Sequence, residues 1–501
     1  MIGLLTVATA ISVAAPQIQD SLQAEFRSDT TATAITLEQA LEIALSENVS
    51  VKVADKEIER TGYARKGTYA SLFPSLDGSA AYQRTIKKQV MYMDGDGFNI
   101  GEMLGETLGA YLMPLYMKHP DVPFPTPTPS EEPAAGNDGF EVGRWNTWSA
   151  GVTASMPLVN AQLWKSLRIS DQDVELAVEK ARSSRLETVT QVKQAYFGVL
   201  LAKQAFDVYR SVYENALENL ELTQRRYNVQ KASELDLARA KTSYANAIPN
   251  VYDAENAIIL ALWQLKAVMG IDLDENIDVA GSLSDYASHM LYDLGESGSY
   301  NLDGNATMRQ LAIQAEQVAN SIKLQQYACL PSLAVAFSYS MNAMTNDFNF
   351  SEYQWSPYSY VGLSLSIPIF AGGRRSNNIK QAKVQAAELD MQRINTERQL
   401  KIAIRQYLGT METAMKSYGS ADSAVEAATK AYDIASKSYN VGRSTMTDLN
   451  DAQLALTQAR LSQCQAIYNF VVAKASLEGL MGADFIDEEG NVQLNKTYSN
   501  E

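Results

Sequence analysis

The sequence has few of the residues on which catalytic and metal sites depend. Among 501 residues there are two cysteines, Cys329 and Cys464, and two histidines, His119 and His289. No His-x-x-His, Cys-x-x-Cys or Gly-x-x-x-x-Gly-Lys pattern occurs, so metal and nucleotide sites have no support in the sequence. We therefore expect no catalytic residues, no metal and no cofactor, and no disulfide between the two cysteines.

Basic clusters and long apolar runs are also missing. The chain carries 42 Lys and Arg against 58 Asp and Glu, a formal net charge of -16, and contains no block of basic residues. This balance argues against nucleic acid and anionic lipid headgroups as partners. After the N-terminus, no apolar run approaches the roughly 18 residues that a membrane-spanning helix needs.

Residues 1–20 have the features of a secretory signal peptide. The stretch is apolar and ends in small residues, although it lacks a basic start. We predict export, and an ordinary apolar terminus is the alternative. No cysteine follows that would favour a lipid-modified N-terminus.

What the sequence does contain is a duplication. Tyr-Asn-Val at 227–229 returns at 439–441, and Met-Gly at 269–270 returns at 481–482, both at an offset of 212. One gapless register over more than forty residues means that each copy is one structural unit. Duplicated units of this size must pack against each other or around an axis.

Two further matches extend the duplication upstream. Leu-Phe-Pro-Ser-Leu at 72–76 recurs as Leu-Pro-Ser-Leu at 330–333 with an offset of 257, and Met-Pro-Leu at 156–158 matches Ile-Pro-Ile at 367–369 with an offset of 211. Each half therefore reads helix, strand, strand, helix, helix. The smaller second offset requires 46 extra residues between the two strands of the first half.

Four segments alternate apolar and small polar residues with period two, as β-strands with one apolar face do. Such strands fit either a membrane β-barrel wall or a half-buried sheet of a soluble domain, and alternation does not separate the two. Four strands cannot close a barrel, and open sheet edges are not tolerated in lipid, so a barrel would need strands from several chains; three chains would supply twelve. The apolar series are Leu76, Gly78, Ala80, Tyr82; Trp148, Ala150, Val152, Ala154, Met156, Leu158; Leu333, Val335, Phe337, Tyr339; and Val361, Leu363, Leu365, Ile367.

Long coiled-coil helices are predicted after each strand pair. The stretch 160–231 contains about seventy residues, which would span roughly 100 Å as a helix. Heptad spacing with alanine at every seventh place allows close helix approach, and Pro249 should kink the first copy or loosen its hydrogen bonding. The seams are Leu237, Ala240, Tyr244, Ala247, Val251, Ala254, Ile258, Ala261, Leu265, Val268 and Leu449, Ala452, Leu456, Ala459, Gln463, Ala466, Phe470, Ala473, Leu477, Leu480.

These motifs together resemble the TolC-type outer-membrane efflux protein family. The matching residues are Ile-Thr-Leu-Glu-Gln-Ala-Leu at 35–41, the Leu-Pro-Ser-Leu strand starts, Phe-Ala-Gly-Gly-Arg at 370–374 and the paired Tyr-Asn-Val turns, and only about 86–145 falls outside the resemblance. The resemblance implies a mainly α chain with a β-barrel, built from a duplicated helix-strand-strand-helix-helix unit. The expected trimer has a twelve-stranded barrel, four strands per chain, continued by a long α-helical coiled-coil barrel.

The resemblance also implies the function. Members are passive exit ducts of tripartite efflux or type I secretion systems in the Gram-negative outer membrane, with the helical part and its coiled-coil gate in the periplasm. Implied partners are two further copies of the chain, outer-membrane lipid, a periplasmic adaptor (membrane fusion) protein and an inner-membrane pump or secretion ATPase. Such a duct conducts small molecules or proteins and is not an enzyme.

By the same resemblance, Asp448 and Asp451 fall on the pore constriction, where a trimer would form two acidic rings. Their alternative role is capping of a helix N-terminus, which the macrodipole favours by about 0.3 to 1 kcal/mol. Asp236, Tyr439 and Arg443 fall on or near the links that hold the gate, with Arg443 one position before the expected place.

The turns that dock an adaptor correspond to Tyr227, Asn228, Val229, Gln230 and to Tyr439, Asn440, Val441, Gly442. Gln230 replaces the glycine that the second turn keeps as Gly442. Because glycine tolerates positive φ, this replacement bears on the tightness of the first turn and on adaptor docking.

The expected domain order follows the duplication, with an extracellular insertion at 86–145. Its Pro120 to Pro133 stretch predicts extended chain, and residues 100–117 form either a helix that covers the channel exit or part of a plain surface loop. The segments are a signal peptide (1–20), an N-terminal segment with the first tunnel helix (21–71), a first β-hairpin (72–158), tunnel helices (159–271), an equatorial belt (272–304), a tunnel helix (305–329), a second β-hairpin (330–370), tunnel helices (371–482) and a C-terminal tail (483–501).

Two other classes of protein compete with the duct. A periplasmic coiled-coil adaptor or scaffold would place the four alternating segments in a soluble sheet. A hydrolase ranks far below, because no nucleophile, base and acid stand out from the repeats.

Overall fold

The computed structural model describes residues 33–91, 108–114, 117–118, 140–291 and 302–482. The predicted signal peptide, the tail 483–501 and most of the 86–145 insertion lie outside these residues. The described chain divides into a helical unit, with residues up to 68, 162–328 and from 371 onward, and a strand unit of 69–161 and 329–370.

The elements follow the predicted order in both halves. In the first half they are β1 (Thr33–Ile35), α1 (Leu37–Glu47), α2 (Val49–Ala70), β2 (Ser75–Arg84), β3 (Gln89–Met91), β4 (Phe140–Val142), β5 (Asn146–Val159), α3 (Ala161–Asn228), α4 (Glu234–Met269) and β6 (Ile277–Val279). In the second half they are α5 (Ala306–Tyr327), β7 (Ser332–Thr345), β8 (Ser356–Ser366), α6 (Arg374–Asn440) and α7 (Met446–Met481).

The heptad seams of α4 and α7 are buried or half-buried at every position, as predicted. Helix α4 continues unbroken through Pro249. Both helices end at a glycine in the left-handed conformation, Gly270 with φ 79° and Gly482 with φ 63°. A left-handed residue after the last turn is a common way to satisfy the free carbonyl groups of a helix end.

In each half, an asparagine side chain joins the start of the half to its end. Asn48 Nδ2 donates to Val268 O at 2.6 Å, and Asn305 Nδ2 donates to Leu480 O at 2.6 Å. The same asparagine side chains accept from amides of the helix that follows them, Asn48 from Val51 N and Asn305 from Met308 N. The duplication therefore extends to individual hydrogen bonds.

The largest core of the helical unit gathers around the two-stranded parallel sheet β1–β6. Tyr196 OH donates to Ala280 O at 2.7 Å, which ties α3 to the chain after β6. Close by in the same core, the buried Lys193 Nζ lies 2.9 Å from Glu478 Oε2. Burial lowers the pKa of Lys193, and Glu478 opposes that shift. The sequence did not predict this sheet or the buried ion pair.

The strand unit is an antiparallel sheet in the order β2-β5-β7-β8, with β3–β4 as a separate hairpin. The registers place the four predicted apolar series on one face, which we call the apolar face: Tyr82 pairs with Trp148, and Val335 with Leu363. This face is uncovered, since Val361 is 72% exposed. Leu158 lies in a register shift where Val159 pairs with Leu333, so the predicted alternation ends before it.

Two predicted features are only partly described. The strand β8 ends at Ser366, so Ile367 lies beyond it. Within the insertion, residues 108–114 are helical, while the rest of 100–117 is described only at 117. None of the described helices combines the length and apolar character needed to cross a membrane.

Candidate pore constriction and gate at the paired turns

The two turns that join the long helices have the same backbone geometry. Gln230 N donates to Tyr227 O at 2.9 Å, and at the equivalent place Gly442 N donates to Tyr439 O at 3.0 Å. Gln230 is the one described non-glycine residue with positive φ, at 60°. The first turn is therefore as tight as the second, and the glutamine adopts the conformation that glycine takes more easily.

The residue after each left-handed position donates further back, Lys231 N to Arg226 O and Arg443 N to Ser438 O, both at 2.8 Å. This pair of bonds satisfies carbonyl groups that would otherwise be free at the ends of α3 and α6. Each turn therefore joins its two helices through the same few hydrogen-bonded residues.

A capping box begins each returning helix. Asp236 Oδ2 accepts from Ser233 N at 3.3 Å, and Asp448 Oδ2 accepts from Thr445 N at 2.9 Å. In return the hydroxyl groups of Ser233 and Thr445 accept from the amides of the two aspartates. The hydrogen bonds from Thr445 hold the pKa of Asp448 below its usual value. The capping alternative is therefore present at Asp448, and also at Asp236.

Capping does not account for Asp451. In the first copy the equivalent position is Arg239, although that copy caps its helix in the same way. Asp451 is exposed and lies one turn after Asp448 on the same face of α7. The two capping bonds of Asp448 use Oδ2 alone, so Oδ1 of this exposed carboxylate is available to solvent or an ion. The second copy thus presents two carboxylates where the first presents one.

Tyr439 joins α6 to α3. Its side chain is 6% exposed, and its hydroxyl lies 2.6 Å from Thr223 Oγ1. Arg226 donates from Nη1 to Tyr439 O at 2.8 Å and from Nη2 to Asn440 O, and its guanidinium lies 5.3 Å from the Tyr439 ring centre. A cation that donates to the last carbonyl groups of a helix is favoured by hydrogen bonding and by the macrodipole.

The three residues predicted to link the gate are not joined within this chain. Asp236 bonds to Ser233, Tyr439 bonds to Thr223 and Arg226, and the described residues offer no hydrogen bond or ion pair to the Arg443 side chain. Ser444, which holds the expected arginine position, donates to Ala435 O at 3.2 Å.

Sequence reasoning missed Arg226 and Thr223. The available signal was an arginine in the last turn of α3, directly before the Tyr-Asn-Val motif, at a place where the second copy has Ser438. Behind the turns, Tyr439 packs with Met446, Leu449 and Ala240 in a small buried cluster. This cluster is why the Tyr439 ring has a fixed position against which Arg226 can stack.

A family model described as outer membrane efflux protein matches residues 120–271 and 299–483, which include both turns. Among curated relatives, the outer membrane protein TolC of Escherichia coli (strain K12) is 22% identical over 364 residues, covering 71% of this chain and 73% of the relative. The family match begins inside the 86–145 segment and so includes part of the insertion.

Two solved structures show the same fold. The Campylobacter jejuni CmeC outer membrane channel has a TM-score of 0.65 at 19% identity, over 89% of this chain and 85% of that channel. The outer membrane protein VceC of Vibrio cholerae has a TM-score of 0.63 at 14% identity, over 91% of this chain and 97% of VceC.

Proposed function

Since the chain belongs to the outer membrane efflux protein family, we propose that it is a passive outer-membrane exit duct whose pore narrows at Asp448 and Asp451. The duct serves a tripartite efflux or type I secretion system and conducts small molecules or proteins delivered by an inner-membrane pump or secretion ATPase. It performs no chemistry of its own. The exposed carboxylate pair on α7, which capping explains only in part, is the observation that carries the constriction.

The strand unit supports a trimer as the assembly. The sheet has four strands with β2 and β8 at its edges, and its apolar face is uncovered. In lipid an uncovered apolar face is favourable, but an open sheet edge is not. Three copies that pair β8 of one chain with β2 of the next would remove all edges and give twelve strands.

In such a trimer, Asp448 and Asp451 would repeat three times around the axis. Two rings of carboxylates one helical turn apart attract cations and repel anions, as charged rings in pores do. The hydrogen bonds from Thr445 lower the pKa of Asp448 and so favour the ionised carboxylate, against the repulsion of neighbouring carboxylates in the ring. The chain would therefore conduct cations in preference to anions at its narrowest point.

The gate would be held by contacts at the turns. Within one chain, Arg226 and Thr223 fasten the end of α6 to the end of α3 through Tyr439. Asp236 and Arg443 keep exposed or half-exposed positions on the same turns, where a neighbouring chain could reach them. Opening would require α6 and α7 to move away from α3, which breaks the Arg226 and Thr223 contacts first.

The paired turns are also the surface that a periplasmic adaptor would meet. Val229 is 63% exposed and Val441 is 69% exposed, one in each turn. Two exposed valines in equivalent turns give a repeated apolar contact, which suits a partner that binds six such positions in a trimer. Because the first turn is tight despite Gln230, both turns can present their exposed valine to an adaptor.

The test is single-channel current in a planar bilayer, comparing the wild type with the double variant Asp448→Asn, Asp451→Asn. Loss of cation selectivity in the variant is the expected result. The matched control is Glu234→Gln, which removes an exposed carboxylate from the first turn of the equivalent helix in the other copy and should keep the selectivity. Unchanged selectivity in the double variant would contradict the assignment of the constriction to Asp448 and Asp451. Release of the protein by osmotic shock, together with the absence of a trimer on gels, would favour the periplasmic scaffold instead.

A further inference from the structure

One end of the four-stranded sheet carries a group of cations. Arg84 is the last residue of β2, Lys87 and Lys88 directly precede β3, and Arg144 lies between β4 and β5. We call these four residues the cation group. In a chain with a net charge of -16, four cations beside two described acids, Glu141 and Asp347, are a local reversal of charge.

Strand pairing brings the cation group together from distant parts of the sequence. Thr85 N donates to Trp145 O at 2.8 Å, and the hairpin aligns Gln89 with Val142. Residues 84–88 therefore lie beside residues 143–145, about sixty positions away along the chain. Because the cations are separated along the chain, the sequence contains no basic block. For that reason the sequence argued against anionic lipid as a partner.

The cation group is not neutralised within the described chain. The acidic residues of the same region, Glu141 and Asp347, form no ion pair with any of the four, and no described carboxylate lies within 4 Å of their charged nitrogens. Arg84, Lys87 and Arg144 are exposed. Among the described residues, no carboxylate pairs with these charges.

Aromatic rings support two of the cations. The Arg84 guanidinium lies 5.8 Å from the centre of the Phe348 ring, and Lys88 Nζ lies 4.7 Å from the centre of the Trp145 ring. The rings of Tyr82 and Trp148 adjoin this place, with centres 4.3 Å apart. A ring face attracts a cation and leaves its far side open to an anion.

Polarity changes in one direction along the strands. On the apolar face, β2 runs from Leu76 through Gly78 and Ala80 to Tyr82 and then Arg84. A barrel wall shows the same order across a bilayer. Its apolar side chains face the hydrocarbon, its aromatic rings lie at the interface and its cations lie among the headgroups. The cation group therefore lies at headgroup depth if the sheet is a barrel wall.

We propose that the cation group binds the phosphate groups of anionic lipid headgroups, those of the phosphorylated glycolipid in the outer leaflet. This inference rests on the proposed outer-membrane location of the sheet. Arg and Lys are the side chains that bind phosphate, Arg as a two-pronged donor and Lys as a point charge. The partner is a lipid because the cations continue an uncovered apolar face, where acyl chains would lie beneath the headgroup.

The experiment titrates purified trimer in detergent with a bisphosphorylated lipid A, following Trp fluorescence and the temperature at which the trimer dissociates on gels. The test variant is Arg84→Gln, Lys88→Gln, Arg144→Gln. Its matched control, Lys380→Gln, Lys383→Gln, Arg398→Gln, removes the same charge from exposed positions of α6. We expect the test variant to weaken binding by about fivefold for each cation removed. The control should change binding by less than about twofold, because distant surface charges are screened.

Three results would overturn the inference. The first is equal binding of lipid by the wild type and the test variant. The second is equal binding of lipid A from which both phosphates have been removed. The third is full competition by inorganic phosphate at the lipid's own concentration, which would assign the cations to free phosphate.

Wild-type trimer that inserts and conducts, yet shows no lipid dependence, would refute the lipid site alone. Wild-type protein that neither forms a trimer nor inserts would refute both the duct and the lipid site. The test variant must still migrate as a heat-sensitive trimer, which is the expected behaviour because Arg84 and Arg144 are exposed and Lys88 is half-exposed.

Discussion

Gln230 and Gly442 occupy equivalent places in two copies of one turn and adopt the same left-handed backbone, with φ of 60° and 77°. The donors and acceptors around them correspond one to one. A glutamine in this conformation costs about 1 to 2 kcal/mol, because its Cβ approaches the following carbonyl oxygen. The surrounding capping bonds and the helix ends hold it there.

This relationship predicts opposite effects for two exchanges. Gln230→Gly should stabilise the first turn by up to about 1 kcal/mol, since part of the gain is offset by the freedom of glycine in the unfolded chain. Gly442→Gln should destabilise the second turn by about 1 kcal/mol. Hydrogen exchange of the Lys231 and Arg443 amides measures each turn separately. A Lys231 amide that does not exchange more slowly in Gln230→Gly would contradict the assignment of strain to Gln230.

Removing Arg226 should loosen the gate. Arg226→Gln loses the stacking on Tyr439 and at least one of two hydrogen bonds to carbonyl groups, at a cost of about 1.5 to 3 kcal/mol for bonds from a charged donor. We expect more frequent or larger openings in single-channel recordings. The neighbouring Arg225 is exposed, so Arg225→Gln serves as the control with the same loss of charge and should conduct as the wild type does. Identical recordings from both variants would show that Arg226 does not restrain the gate.

The Asp448 ring should keep its charge in moderate acid. The pKa of Asp448 is lowered in the folded chain, so its carboxylate stabilises the turn above the unfolded-state pKa, and this contribution is lost as the pH falls through the lower folded pKa. In an Asp451→Asn background, cation selectivity should therefore persist below about pH 4, the usual pKa of an aspartate.

The source of that shift can be tested at Thr445. Thr445→Val removes the hydroxyl group that bonds to Asp448 Oδ2 at 2.7 Å. In the same Asp451→Asn background, the midpoint of selectivity loss should move to higher pH. A midpoint that stays in place would mean that the Thr445 hydroxyl does not lower the pKa of Asp448.

The buried pair Lys193 and Glu478 should respond unequally to substitution. Lys474 is also buried and its charge lowers the pKa of Lys193, so Glu478→Gln leaves two repelling cations in the core and should cost about 3 to 5 kcal/mol. Lys193→Met also leaves the buried Glu478 carboxylate without its partner, but it removes the repulsion from Lys474 and should therefore cost less than Glu478→Gln. The comparison is thermal unfolding of the trimer. Glu412→Gln, which breaks the exposed pair with Lys416, should cost less than about 1 kcal/mol.

The fold could be read from the sequence wherever the pattern is local. Alanine at every seventh place predicted the α4 and α7 seams, because heptad spacing alone fixes which side of a helix is buried. Alternation predicted the apolar face, although it did not give the register or the shift between Pro157 and Val159. Such shifts depend on pairing with a partner strand, which no single strand encodes.

The candidate site was predicted less completely. Capping was the alternative role given for Asp448, whereas capping by Asp236 was not predicted, although both follow a Ser or Thr at the same short spacing. Arg226 acts on Tyr439 more than two hundred residues away, and one helix pattern does not show which partner it meets. The cation group was missed for the same reason, since Arg144 joins Arg84 and Lys88 only after the strands pair. The net charge of -16 for the whole chain gave no indication of this local group of cations.

The asparagine closures have a consequence for ancestry. Asn48 fastens the start of the first half to Val268 near its end, and Asn305 does the same with Leu480 in the second half. Neither bond crosses from one half to the other. A single half would already contain its own closure, so a gene half as long could have served before the duplication as the protomer of a sixfold ring. In the proposed trimer, fusion of two such protomers would leave a threefold ring, in which the two copies could diverge as Arg239 and Asp451 have done.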